Sequence, residues 1–253
     1  CYFKPLNIFY TKLTISTVFL LLSMLFPQVS EGYTIFTPHT QQSSSTYLLD
    51  TGGNTIHTWS HERAPASMPY LLSDSTIIYP YQVINPTMVA GGVGGGVQHL
   101  DWNGNVIWDY QFSDETYQHH HDVEPLPNGN VLVIVWERKT SSEAFEMGRQ
   151  VVDNALNQMW STAILELNFQ NGNIVWEWHL WDHLVQDVDP ALGNYGAVAA
   201  HPELMDINCG GPVNNTNGDW IHTNAIDYNA ELDQIIFSSR HMNEIYIIDH
   251  STT

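Results

Sequence analysis

Three stretches of the chain repeat one plan: a strand-like run, a polar turn with glycine, then a second run carrying Trp. The first is Tyr47-Leu-Leu-Asp50, Gly52-Gly53 and Ile56-His-Thr-Trp59. The second is Val97-Gln-His-Leu-Asp101, Gly104 and Val106-Ile-Trp108. The third is Ala163-Ile-Leu-Glu-Leu-Asn168, Gly172 and Ile174-Val-Trp176. Apolar runs broken by an Asp or Asn and a Gly are the sequence form of a β-hairpin. The stretch Glu244-Ile-Tyr-Ile-Ile-Asp249 opens a fourth copy. Hairpins of a second kind lie between these: Met68–Leu72 with Thr76–Tyr79, His120–Leu126 with Val131–Val135, and His222–Tyr228 with Gln234–Phe237. Two alternating hairpins make a four-stranded unit, and repeated units of this length predict an all-β chain of β-propeller blades. A two-sheet sandwich is the rival, but it leaves the Asp…Gly…Trp order unexplained. Trp59, Trp108 and Trp176 are expected at equivalent blade positions, packed in the core.

The repeat is stretched by insertions near 141–158 and 178–218. Ser141–Gln158 and Trp178–Val185 each suggest a short helix, and Tyr195–Gly218 reads as loop. The glycine run Gly91–Gly96 has no following helix and no Lys, so it does not read as a phosphate-binding loop. Asn214-Asn-Thr216 is a formal glycosylation sequon.

Residues 1–32 read as an export signal: Lys4 and Lys12 flank the start, and Leu13–Phe26 is too short for a comfortable membrane span. Residues 33–253 then form the propeller domain, periplasmic or secreted, with no membrane attachment after signal cleavage. Cys209 would be alone in the exported chain, so no internal disulfide is expected. Lys and Arg number 7 against 27 acids, a net charge of −20. That balance speaks against nucleic acid or an anionic membrane as partner. The chain starts at Cys1 and stops as a strand meets its turn, which suggests a fragment of a longer product.

In so acidic a chain a strand-end arginine carries weight. Arg240 closes the run Gln234–Arg240. His222 and Asn224, two apart, would share one face of a strand. A His, an amide and a guanidinium at one mouth suit an anionic tetrahedral group. His119-His-His-Asp122 takes the slot in its blade that His222 takes in the following one, while Met68 holds it in an earlier blade. Alternation would put His119 and His121 on one face and His120 and Asp122 on the other. His and carboxylate are metal ligands, but no paired spacing supports a metal site, and none is expected.

Taken together, Trp220-Ile-His-Thr-Asn-Ala-Ile-Asp-Tyr-Asn229 with Ser238-Ser-Arg240, the His-His-Asp122 run before Leu126-Pro-Asn-Gly129, Trp181-Asp-His-Leu-Val-Gln186 and His201-Pro-Glu-Leu204 resemble the bacterial arylsulfate sulfotransferases. The likeness runs from about residue 32 to the end of the chain. It implies a six-bladed propeller, incomplete here, that moves a sulfuryl group from an aryl sulfate donor to a phenolic acceptor through a sulfated histidine, with no cofactor. It implies catalytic roles for His222, Arg240 and one of His121 or His120, His121 being favoured, and substrate contacts from Asn224, Asp122 and His183. The family's nucleophilic histidine lies in a later blade, so the fragment alone would be inactive. The resemblance allows a homodimer. The alternatives are a noncatalytic secreted propeller that binds a ligand or partner, or a quinone-type dehydrogenase propeller.

Overall fold

The turn chemistry of the sequence builds the sheets directly. In the computed structural model, which describes residues 31–39, 44–168, 170–210 and 216–252, each Asp or Asn that ends a strand caps its own turn. Asp50 Oδ1 accepts the backbone N–H groups of Gly52 and Asn54, and Asp101 Oδ1 those of Asn103 and Asn105. Asn229 does the same for Glu231 and Leu232. A short side-chain acceptor two residues before a donor N–H mimics a backbone turn, so these positions stop one strand and start the next.

The result is a series of antiparallel meanders. Strands β1 (Thr34–Phe36), β2 (Ser44–Leu49) and β3 (Thr55–His61) form the first sheet. β4 (Tyr70–Leu71), β5 (Ile77–Gln82), β6 (Gly95–Leu100) and β7 (Val106–Gln111) form the second. β8 (Tyr117–Pro125), β9 (Val131–Thr140), β10 (Gln158–Leu167) and β11 (Ile174–His179) form the third. β12 (Leu184–Val185) and β13 (Met205–Asp206) make a small parallel pair, and β14 (Thr223–Asn229), β15 (Gln234–Ser239) and β16 (Glu244–Asp249) the last meander. The chain is therefore all-β, with the hairpins where the sequence puts them.

The first strands of the last three meanders meet. Asp122 on β8 accepts the Tyr70 hydroxyl of β4 at 3.0 Å and the Ile226 N–H of β14 at 3.4 Å. The apolar cores lie between neighbouring sheets. One packs Ile134, Ile164 and Trp178 against Ile226, Ile235 and Phe237; another packs Ile78 and Val97 against Val133, Val135 and Leu165.

Two expectations are corrected. Trp59 is not the equivalent of Trp108 and Trp176. Counted from the bulge in each hairpin, Trp108 opposite His99 and Trp176 opposite Glu166 match His57 opposite Leu48. Trp59 stands two residues further on and matches Tyr110 and Trp178. The first insertion does form the expected short helix, α1 (Ser141–Glu146), started by a capping box in which Thr140 and Glu143 exchange side-chain and backbone bonds. The second forms no α-helix: Trp178 and His179 finish β11, and only a 3-10 turn, Leu180–Asp182, follows. The export signal lies outside the described residues up to residue 30, as do Asn214 and Asn215 of the sequon. Among the described residues no helix is long and apolar enough to cross a membrane.

Candidate functional site

The third and fourth meanders carry the same local irregularity. In β8 the pairing with β9 slips between His119 and Val123, and His121 takes φ +56°. At the head of β14 the pairing with β15 slips between Thr223 and Ala225, and His222 takes φ +53°. Left-handed backbone is uncommon for residues other than glycine and costs roughly 1–3 kcal/mol. In both places it turns an imidazole out of the sheet and into one shared cavity.

That cavity holds about 370 Å³ and is walled by Ala90, Gly91, Gly92, His121, Asn217, Asp219, His222, Asn224, Arg240 and His241. The rings of His121 and His222 meet edge to face with centroids 4.8 Å apart, and His241 lies 5.0 Å beyond His222. Arg240 and His241 are placed by backbone bonds to the opposite strand head, Arg240 N–H to His222 O at 3.0 Å and His241 N–H to Ile221 O at 3.2 Å. Asn224 Oδ1 accepts the Ser238 hydroxyl at 2.7 Å, which orients the amide and leaves its NH₂ free to donate. Arg240 is exposed and has no carboxylate partner among the described residues, unlike Arg138 on Glu115 or Lys139 on Glu137.

Behind this wall the groups are dry. His120 is fully buried, stacked on Trp136 at 4.0 Å, with Nδ1 3.1 Å from Nδ1 of His121. Burial holds the His120 ring far below the ordinary imidazole range, and His119 down to about 3. Burial, then the neighbouring His222, brings His121 to about 4. Neutral imidazole at His121 can accept or donate one hydrogen bond, not two donations. Asp219, His222 and His241 bring one ligand atom each within 4.8 Å of one another, close enough for a divalent metal. Arg240 in the same wall, 3.4 Å from His241 Nε2 and with no carboxylate partner among the described residues, puts positive charge beside that set and disfavours a cation.

The sequence-derived residues therefore separate into two groups. His121, His222, Asn224 and Arg240 come together. His120 stands behind His121 and does not reach the cavity. Asp122 is turned away: Tyr70 and Ile226 occupy its oxygens, and burial raises its carboxyl above the ordinary range. His183 stacks on Trp178 at 4.9 Å in a separate cleft with Phe237 and Tyr246. His119 and His121 both lie against the glycine run, at Gly94 and Gly92, but only the left-handed His121 reaches the cavity, and His222 precedes its strand instead of lying in it. Asp219, His241 and the glycines were missed. The D-x-x-H spacing of Asp219 to His222 was the available signal. The glycine run proves to be a wall: a Cβ on Gly92 would fall 2.1 Å from His121 Cε1, and one on Gly94 would fall 2.5 Å from His119 Nδ1.

The family model of arylsulfotransferase (ASST) matches residues 17–253. The chain belongs to the arylsulfotransferase family. At that level it is a sulfotransferase-type enzyme, and aryl sulfates and phenols are the family's substrates. No curated protein matches the chain. Among solved structures it is similar to a protein of unknown function from Bacteroides caccae, at 10% identity over 87% of this chain and 73% of that one, with a TM-score of 0.40. It is also similar to quinohemoprotein alcohol dehydrogenase from Comamonas testosteroni, at 12% identity over 88% and 34%, with a TM-score of 0.39.

Proposed function

We propose that this arylsulfotransferase chain is a secreted or periplasmic β-propeller segment that holds the sulfuryl group of an aryl sulfate while it passes, through a sulfated histidine, to a phenol. The observation that carries the reading is the convergence on one cavity of His121, His222, Asn224 and Arg240, whose guanidinium has no carboxylate partner among the described residues. Sulfuryl transfer spreads negative charge over the nonbridging oxygens. The Arg240 guanidinium and the Asn224 amide stand where such charge would be met by preoriented donors. Each charge-assisted bond contributes on the order of 1.5–3 kcal/mol. His222 supplies the proton to the departing aryl oxygen, and His121, kept neutral, completes the cradle. The nucleophile, by resemblance to the family, comes from a later blade, and two half-reactions give ping-pong kinetics. The meeting of β4, β8 and β14 supports an axial channel with the cavity at one mouth.

The test is colour release from nitrophenyl sulfate by the full-length protein, stimulated by added phenol, with parallel lines in double-reciprocal plots. Phenol-independent release, or intersecting lines, would remove the sulfated-histidine reading.

A further inference from the structure

Asp219 is 7% exposed, yet both of its oxygens are engaged. Oδ1 accepts the indole N–H of Trp136 at 3.0 Å, and Oδ2 lies 2.5 Å from Nδ1 of His222. An ionised carboxylate only accepts, so the proton of that contact sits on His222 Nδ1. The other nitrogen, Nε2, is left for the cavity: a Cβ added at Gly91, across the wall, would fall 3.4 Å from His222 Cε1 and 3.9 Å from Nε2. Asp219 is itself held from behind, its N–H donating to Asn217 Oδ1 at 3.2 Å and its backbone bridged to Trp160. Trp136 is the common support. One face of its indole carries His120, which meets His121, and its N–H carries Asp219, which meets His222.

We propose that Asp219 is a positioning residue for His222, and that Trp136 locks it in place. The carboxylate pins the Nδ1–H tautomer and the ring plane, so that Nε2 alone exchanges protons with substrate. A carboxylate or carbonyl behind an imidazole sets which nitrogen is basic and stops the ring from turning. The proposal rests on the sulfuryl-transfer reading and assigns the protons within it. As the S–O(aryl) bond of the donor breaks and sulfur bonds to the nitrogen of the nucleophilic histidine, the Nε2 proton moves to the aryl oxygen and the product leaves as the phenol. His222 is then neutral, with Nδ1–H still on Asp219. In the second half-reaction the S–N bond of the sulfated histidine breaks as the acceptor phenol oxygen bonds to sulfur, Nε2 takes the phenol proton, and the starting state returns. The charge that appears and disappears on His222 faces Asp219 throughout, so the ring need not reorient between half-reactions.

The decisive measurement does not depend on turnover. Long-range ¹H–¹⁵N spectra of the full-length protein labelled at histidine, with His222→Gln to assign the signals, should show His222 protonated at Nδ1 with a strongly downfield proton. In Asp219→Asn that proton resonance should vanish or move upfield. Wild-type His222 found as the Nε2–H tautomer, or a spectrum unchanged in Asp219→Asn, would overturn the proposal. The wild-type spectrum alone decides if the variant does not fold. If the spectra agree but no aryl sulfate is turned over, the sulfuryl-transfer reading fails and the positioning geometry stands. Where turnover is present, Asp219→Asn should lower kcat at least tenfold with KM changed less than twofold, because both Asp219 oxygens are already engaged by Trp136 and His222. Trp136→Phe, which keeps the carboxylate and loses its N–H anchor, should fall between the two. A loss seen only in KM would count against a positioning role.

Discussion

Replacing Gly92 by Ala tests how the glycine wall holds His121. Gly92 sits at φ +75°, where an L residue costs about 1–2 kcal/mol. The new methyl would also fall 2.1 Å from His121 Cε1 and 2.3 Å from Nδ1. The ring has little room to retreat. Its own backbone N–H is bonded to Gly92 O at 2.7 Å, and its Nδ1 meets His120. Relieving such an overlap by shifting loop or ring costs a further 1–3 kcal/mol or so, as overpacked cores do. The sum is about 2–5 kcal/mol. The chain contains its own controls. Gly53 at φ +77° and Gly104 at φ +83° would place a methyl with nothing within 4 Å, so Ala there should show the backbone cost alone. Urea unfolding of the three variants, with slopes compared, measures the difference. Gly92→Ala should fall below both controls by about 1–3 kcal/mol and should lose aryl sulfate turnover with it. If it unfolds no more readily than Gly53→Ala, the His121 ring does not rest on this loop and the argument is wrong.

Arg240→Ala should cost at least about tenfold in kcat/KM for nitrophenyl sulfate, equivalent to 1.4 kcal/mol, and Arg240→Lys should restore only part, lacking the planar fork; wild-type kinetics in the Ala variant would refute an anion role. Acid should destabilise the fold through its buried histidines. His61 is held down to about 4 by burial, below its ordinary unfolded value, so the unfolded chain binds more protons and stability is lost as pH falls from about 6.5 towards 4. His61→Gln should therefore flatten the fall in urea-derived stability across that window by up to about 1.4 kcal/mol per pH unit, and an unaltered slope would contradict it. His250 ties the third meander to the fourth, with Nε2 2.8 Å from the buried Glu166 and Nδ1 2.9 Å from Asp233. His250→Gln should lose about 1.5–3 kcal/mol in the same unfolding assay, and a loss under 0.5 kcal/mol or so would show the link to be idle.

The strand order was readable because Asp50, Asp101, Asn168 and Asn229 write the turn chemistry into the chain. The register was not. His57 and Trp59 lie on the same face of β3, so a slip of two residues leaves every inside-outside pattern unchanged, and only the bulge reveals it. The cavity-lining set His121, His222, Asn224 and Arg240 could be listed from residue types and strand ends. Which histidine of the run would face outward could not, because it depends on a left-handed residue, and φ leaves no mark on hydrophobic alternation. Asp122 shows the converse: a carboxylate beside three histidines looks like chemistry, but its neighbours Tyr70 and Ile226 come from other sheets, invisible to local spacing.

The left-handed backbone of His121 and His222 has a consequence for how such a protein can change. At each position glycine or asparagine would relax the backbone, so heat resistance pulls against the imidazoles there, and at His222 that pull is opposed by the buried Asp219 carboxylate, which would lose its partner. A heat-hardened lineage that still carries both histidines has kept them against a standing backbone cost, and His121, with no buried carboxylate behind it, is the one such selection would replace first.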